Sequence, residues 1–289
     1  MSIKLVIWGA DIGYTEIFDT GSFKCIDKNI VTHADVMFDA SHAKEALSLL
    51  KDRPWISIGW HRHLWERPVS SLEKVPHMID EDGRFKWRHK HPELMGNVPY
   101  QEAYDEFEAQ VKFCKKYSGR YPDTTCFGNE SKIPLEKAFI DVCNKYKIKI
   151  NIFTDDVIWT NPKYKYLNYH IYQITPNFGK EILENGNEYD LSYFKEYDPT
   201  KTVTSLKLKD DTNYLITWHP GYLDEYILSE SSCTIHRVKE LQACLSYELQ
   251  QWIIDNKIEL VNERDIVEGT DTFQQHLKEI NSPLWIGNF

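Results

Sequence analysis

Four places in the sequence put an acid or an imidazole where a buried-strand pattern ends. LVIWGA (residues 5–10) delivers Asp11, and WISIGW (residues 55–60) delivers His61, with His63 two residues on. IKINIFT (residues 148–154) delivers Asp155 and Asp156, and YLITW (residues 214–218) delivers His219 ahead of Pro220 and Gly221. Each has a structural explanation on its own, since an Asp after a strand often caps a turn or a helix, and a histidine at a strand end can simply be packed. Taken together they allow two chemistries. One carboxylate with two imidazoles can hold a divalent metal and activate a water. Alternatively, the carboxylate accepts a proton as general base while a histidine donates one to a leaving group. No G-x-S-x-G elbow occurs, and Gly9, Gly13 and Gly21 fit neither the dinucleotide nor the P-loop spacing, so acyl-enzyme chemistry and nucleotide cofactors are not favoured.

These residues can share a site only if their strands lie parallel, because parallel α/β folds gather the loops after their strands at one end. The hydrophobic pattern supports that arrangement. Residues 3–9 are nearly continuous in apolar side chains, as strands buried on both faces are. Residues 31–38 read as a weaker strand, and residues 41–51 have helical spacing at Ala43, Ala46, Leu47 and Leu50. Residues 101–116 predict a helix with Ala103, Tyr104, Phe107, Val111 and Cys114 on one face, and residues 135–146 predict another. Residues 238–256 read as one long helix leading into a strand at 258–262. Strands alternating with helices predict an α/β fold with a mostly parallel sheet, open or closed into a barrel. Residues 65–100 and 161–213 break the rhythm, and are expected as an irregular loop over one end of the sheet and an insertion or lid, within a single domain spanning 1–289. No internal repeat is present.

A chain of 289 residues can bury a large core. The net charge of −10 argues against a nucleic-acid partner, which demands a cationic surface. No run of about 18 apolar residues suggests a membrane span, and the opening residues have no signal-peptide layout, so a cytoplasmic protein is expected. The cysteines at 25, 114, 126, 143, 233 and 244 form no C-x-x-C pair and read as free thiols. Nine Trp, 17 Tyr and 13 Phe supply core, and also the flat faces on which sugar rings stack.

Four stretches, in order, resemble the YdjC-like (ChbG/HpnK) carbohydrate deacetylases. WGADIGYTE (residues 8–16) looks like the family's opening N-A-D-D-F-G turn. NIVTHADVMFDASHAKEAL (residues 29–47) is similar to G-I-V-T-S-T-(S/T)-L-M-(V/A)-N…A…A, and ISIGWHRHLWERPVS (residues 56–70) to (V/L)-G-(V/L)-H-L-x-L-T-x-G-x-P. ITWHPGYLDE (residues 216–225), followed by SSCTIHRVKELQAC (residues 231–244), resembles H-P-G-Y-x-D…S…R-x-x-E-L. The resemblance implies a distorted (β/α) barrel of the polysaccharide deacetylase type. It also implies a metal-dependent hydrolase that removes N-acetyl groups from amino sugars, with a small carbohydrate as partner. Members of the family are often dimers, so a homodimer is the implied assembly.

Residue by residue, Asp11 matches the first acid of the family's D-D pair, the general base, while the second position, a metal ligand in the family, is Ile12. His61 matches a ligand histidine, and His219 matches the acid that assists the departing amine. The family's other ligand histidine follows a G-x-x-P turn; here GRYP (residues 119–122) is followed by DTTCFGNES, without histidine. One imidazole cannot hold zinc or magnesium tightly, since a working site wants three protein ligands and a water. Either the site is rebuilt, with Glu130, Asn129, Cys126, His63 or Asp155 supplying donors, or metal-assisted hydrolysis has been abandoned. The expected assignment is Asp11 and His219 as catalytic pair, His61 and Glu130 toward a divalent metal, and His63, Trp65, Trp87, Asp155, Tyr222 and Arg237 toward the sugar. The alternatives are a carbohydrate-binding protein without turnover, and a metal-free lyase or isomerase using the same Asp and His. All of them need strand tips distant in the chain to converge on one hollow.

Overall fold

The computed structural model describes residues 3–86, 96–126, 133–151, 165–166, 197–231 and 233–289. Apolar side chains on both faces make the first strand, β1 (Ile3–Ile12), an interior one, buried throughout except at Lys4. It pairs in parallel with β7 (Asn213–Trp218), in a register that sets Gly9 opposite Trp218, and with β8 (Ile258–Leu260), Leu5 opposite Leu260. Among the described residues the strand order is β5-β4-β3-β2-β1-β7-β6, with β8 beside β1. Here β2 is His33–Met37, β3 Ser57–His61, β4 Thr124–Cys126, β5 Lys149–Asn151 and β6 Lys165–Tyr166. The recorded pairings between these strands are parallel, which requires a crossover between them. Helices provide the crossovers: α1 (Glu16–Asp27), α2 (Ala43–Lys51), α3 (Tyr100–Ser118) and α4 (Pro134–Tyr146). This is the expected α/β arrangement.

Among the described residues the further α-helices are α5 (Pro199–Thr204), α6 (Glu225–Glu230), α7 (Ile235–Leu245), α8 (Tyr247–Asp255), α9 (Glu263–Glu268) and α10 (Thr272–Glu279). The single long helix expected over 238–256 is therefore two. Ser246 is extended (φ −73°, ψ 143°), and its hydroxyl accepts the Leu249 N–H, so it ends α7 and caps α8. A serine in a helical pattern is neutral to periodicity but favours a cap, and here the cap wins. Helix α1 escaped the periodicity because Gly21 and Ser22 stand among its buried positions.

The chain divides into two compact units. One comprises Met1–Ala10, Thr15–Ala34 and Pro162–Phe289; the other comprises Asp11–Tyr14 and Asp35–Asn161. In the second, Trp60 is the centre of the core. It stacks on Phe38 at 6.3 Å, meets Phe107 and Phe139 at 5.7 and 4.9 Å, and donates its indole N–H to Gln110 at 2.8 Å. In the first, Trp8 stacks on His33 at 4.7 Å, and His33 faces Glu263 at 3.3 Å with both side chains fully buried. Among the described residues, no helix is long and apolar enough to cross a membrane.

Candidate active site

In the second unit the end of β1 is a turn that only certain residues can make. Asp11 has φ 61° and Gly13 φ 93°, and the Tyr14 N–H closes the turn on the Asp11 carbonyl at 3.2 Å. Aspartate tolerates the left-handed region better than most side chains do, and glycine tolerates it freely. Gly13 is required for space as well, because a Cβ there would lie 3.0 Å from the Ala43 Cα. The Gly13 carbonyl accepts the His42 N–H at 3.0 Å, so the turn that presents Asp11 is fastened to the start of α2. Ile12, between Asp11 and Gly13, is completely buried.

Strand β2 then contributes an acid from inside a buried run: Asp35 is 2% exposed. Its Oδ2 lies 2.9 Å from Nδ1 of His61, the last residue of β3, and Oδ1 of Asp11 lies 3.3 Å from the same nitrogen. One imidazole edge thus faces two carboxylates. Asp39, just past β2, accepts the N–H groups of Trp65 and Glu66 at 2.7 and 3.0 Å, which pins the segment leaving His61. Burial by itself would push the His61 imidazolium pKa down, but the charge and contact of Asp35, then Asp11 and Asp39, outweigh it and raise the value to about 9. Rings flank the cluster. His63 lies edge-on to His61 at 5.5 Å, Tyr14 edge-on to His63 at 6.3 Å, and Trp65 is tilted against His63 at 5.4 Å. Of the residues expected from sequence, Asp11, His61, His63 and Trp65 come together here.

Asp35 was not among those expected. It follows no strand tip, and the rule that looked only at strand ends passed over it. The available signal was an acid in the middle of HADVM, where burial is costly unless a partner is present.

His219 belongs to the first unit and has its own partners there. Its backbone N–H donates to Glu240 Oε2, and its Nδ1 lies 3.4 Å from that same oxygen. The other Glu240 oxygen accepts the Tyr197 hydroxyl, whose pKa is driven well up by burial and then by the Glu240 charge. His236 stands edge-on to Tyr197 at 5.2 Å, and burial pushes its pKa down to about 4. The segment carrying His219 is clamped to α1. A Cβ on Gly221 would fall 2.0 Å from the Phe18 ring, and Ser22 donates to the Pro220 carbonyl at 2.7 Å. Asp224 caps α6 through the Ile227 N–H and also accepts the Thr15 hydroxyl. Arg237, 1% exposed, donates to the Cys233 carbonyl at 2.7 Å and to Ser231 at 3.3 Å, and lies 4.9 Å over the Phe18 ring. The Tyr222 hydroxyl accepts from Lys24 at 2.6 Å.

Trp87, Asn129, Glu130, Asp155 and Asp156 lie outside the described residues, as does most of 161–213, and Cys126 is described only as the last backbone position of β4. Among the described residues, no three His, Cys, Asp or Glu side chains form a metal-holding group. The donor chemistry agrees. Ile12 has no lone pair to offer, and Nδ1 of His61 is turned to carboxylates, which leaves one nitrogen of that ring for any other ligand. The described residues alone do not make a metal centre.

Residues 4–255 match the sequence model of the YdjC-like protein family. The chain belongs to the YdjC-like family. Its relatives include proteins named carbohydrate deacetylase from Brevibacillus brevis, 24% identical over 90% of this chain and 98% of that one. Another, from Clostridium beijerinckii, is 26% identical over 91% of this chain and 100% of that one. A solved structure from Enterococcus faecalis V583, named for cellobiose-phosphate cleavage, superposes with a TM-score of 0.64 at 22% identity, covering 91% of this chain and 98% of that one. The YdjC-like chain therefore carries its family's fold, with Ile12 in the turn and Asp35 beside His61.

Proposed function

We propose that this YdjC-like protein is a carbohydrate deacetylase that hydrolyses an N-acetyl group from an amino sugar or small glycan. The observation that carries the reading is the contact of Asp11 with His61 on the same nitrogen that Asp35 approaches. It belongs to a chain whose relatives, over nearly their full length, are named carbohydrate deacetylases.

In this reading Asp11 takes a proton from the water that adds to the acetyl carbonyl carbon. His61 faces the carbonyl oxygen and steadies the negative charge that develops there. As the C–N bond breaks, His219 gives a proton to the departing nitrogen, leaving acetate and a free amine. Glu240, behind His219, holds that ring in place, as acids behind catalytic histidines do. His63 and Trp65 offer the sugar a stacking face. Tyr222, Trp87 and Asp155 are carried as further sugar contacts, while Arg237 acts through the backbone that it braces. A divalent metal would need donors beyond Asp11, Asp35 and His61, and residues 127–132, with Asn129 and Glu130, are where we look for them.

The test is acetate and free amine released from N-acetylated sugars of several ring types by the purified protein, with and without added zinc or magnesium. Release supports the reading; none under any condition overturns it. The β1 turn holds one acid, Asp11, between Ala10 and Ile12, where the resembling motif has two, and this favours a second reading, a sugar-binding protein without turnover. In that case an N-acetyl sugar raises the melting temperature, Asp11→Asn leaves affinity intact, and no acetate appears.

A further inference from the structure

Helix α3 turns two buried polar side chains toward the segment that leaves β3, and they reach both of its ends. Gln110, fully buried, accepts the indole N–H of Trp60 at 2.8 Å, just before His61. Its amide donates at 2.7 Å to Glu106, one turn earlier and also fully buried. The two Glu106 oxygens accept the N–H groups of Val69 and Ser70 at 3.0 and 2.9 Å, and the Ser70 hydroxyl at 2.6 Å. An unbroken relay of side chains thus joins Trp60 to Ser70. Between its ends lie His63 and Trp65, both partly exposed, and Leu64, a leucine held at φ 51°. A bulky residue persists in the left-handed region only where its surroundings over-determine the backbone.

We propose that Glu106, linked to Trp60 through Gln110, is a positioning residue for sugar binding, holding residues 61–70 in the form that presents His63 and Trp65 as one face. This rests on the reading of those two rings as the sugar's stacking face. Four donors converge on the two Glu106 oxygens, matching the lone pairs of a carboxylate. Two of the donors are backbone N–H groups, which cannot turn away to another acceptor, so the position of the chain at Val69 and Ser70 depends on Glu106. Asp39 fixes the middle of the segment at the N–H groups of Trp65 and Glu66, and the Trp60 indole fixes its start. The backbone is therefore held on both sides of Leu64, and Trp65 stays tilted against His63 at 5.4 Å. The role is preorganisation: a face already set when the sugar arrives loses no affinity to ordering the chain.

The test follows Trp65 and sugar affinity together. Full-length protein labelled with fluorotryptophan gives 19F spectra in which Trp65→Phe assigns the Trp65 line and Trp8→Phe the Trp8 line. Glu106→Gln keeps the shape of the side chain but sets a donor against donors. We expect the Trp65 line to shift or broaden in Glu106→Gln, while the Trp8 line stays in place. In the acetate-release assay KM should rise about 10-fold or more with kcat within about 3-fold, because the sugar must now order the loosened chain itself. His61, still within β3, keeps its place. A Trp65 line that does not move, or an unchanged KM, overturns the proposal, and so does a fall in kcat larger than the rise in KM. If Glu106→Gln fails to fold, Gln110→Met, which cuts the link to Trp60, is read in the same way. Should the wild type release no acetate from any sugar, the deacetylase reading fails, and the Trp65 line still decides whether Glu106 holds the segment.

Discussion

One oxygen of Glu240 accepts the backbone N–H of His219 and lies 3.4 Å from the same residue's Nδ1. A single buried carboxylate thereby fixes both the main chain and the ring of the proposed acid, while its second oxygen is occupied by Tyr197. Glu240→Gln keeps the shape and one acceptor but removes the charge. We expect kcat for acetate release to fall about 10- to 100-fold, with a smaller change in KM. Glu240→Ala should also lower stability by about 1–3 kcal/mol, because buried donors lose their acceptor. Steady-state kinetics and urea titration measure the two effects separately.

Asp11→Asn is the direct test of the proton acceptor. Asparagine also tolerates a positive φ, so the turn at φ 61° should survive and the melting temperature should move little. Acetate release should fall at least about 100-fold, the contribution expected of a general base. Activity retained within a few-fold would remove Asp11 from the mechanism.

His236 makes stability depend on pH. Its folded pKa is about 4, held down chiefly by burial. The charges of His219, Arg237 and Lys239 also lower it, and Glu240 opposes them. The unfolded imidazole takes up a proton near pH 6.5. Between pH 6.5 and 4 the unfolded state therefore binds the proton that the native state refuses, and stability falls as pH is lowered through that window. Above it this contribution is fully present, and below pH 4 no more is lost. The total is at most about 3 kcal/mol. Denaturant midpoints at pH 7.5 and 4.5 should converge in His236→Leu, relative to wild type, once other groups are matched.

Gly221→Ala should be among the most damaging small substitutions. The added methyl would fall 2.0 Å from Phe18, a ring also covered by Arg237. Relief requires moving either α1 or the segment that carries His219. We expect a loss of at least about 2 kcal/mol, with partial recovery in the double variant Gly221→Ala/Phe18→Leu. A melting temperature within a degree or two of wild type would contradict the packing described.

Much of the α/β framework could be read from the chain alone, for a local reason. The continuous apolar run of β1, the amphipathic spacing of α2, α3 and α4, and the strand at β7 are statements about neighbours a few residues apart, and burial of one face acts at that range. The same holds for the residues that terminate strands: Asp11, His61 and His219 stand where parallel strands end, and their types limit the chemistry. Capping and close approach were less legible. Nothing in the periodicity at 238–256 reveals that the Ser246 hydroxyl accepts the Leu249 N–H and splits the helix, and nothing at Gly221 reveals the ring that forbids a side chain there.

By itself, then, the sequence determined the class of fold, the family motifs and a β1 turn with a single acid, Asp11. Only the tertiary structure decided which side chains meet beside it. Asp35 and His61 are 26 residues apart, on different strands, and no rule of spacing brings their side chains to 2.9 Å. Which buried acid finds which imidazole depends on strand order and on the direction each side chain takes from the sheet. Those are fixed by the packing of the whole sheet, where an acid as deeply buried as Asp35 persists only beside a partner.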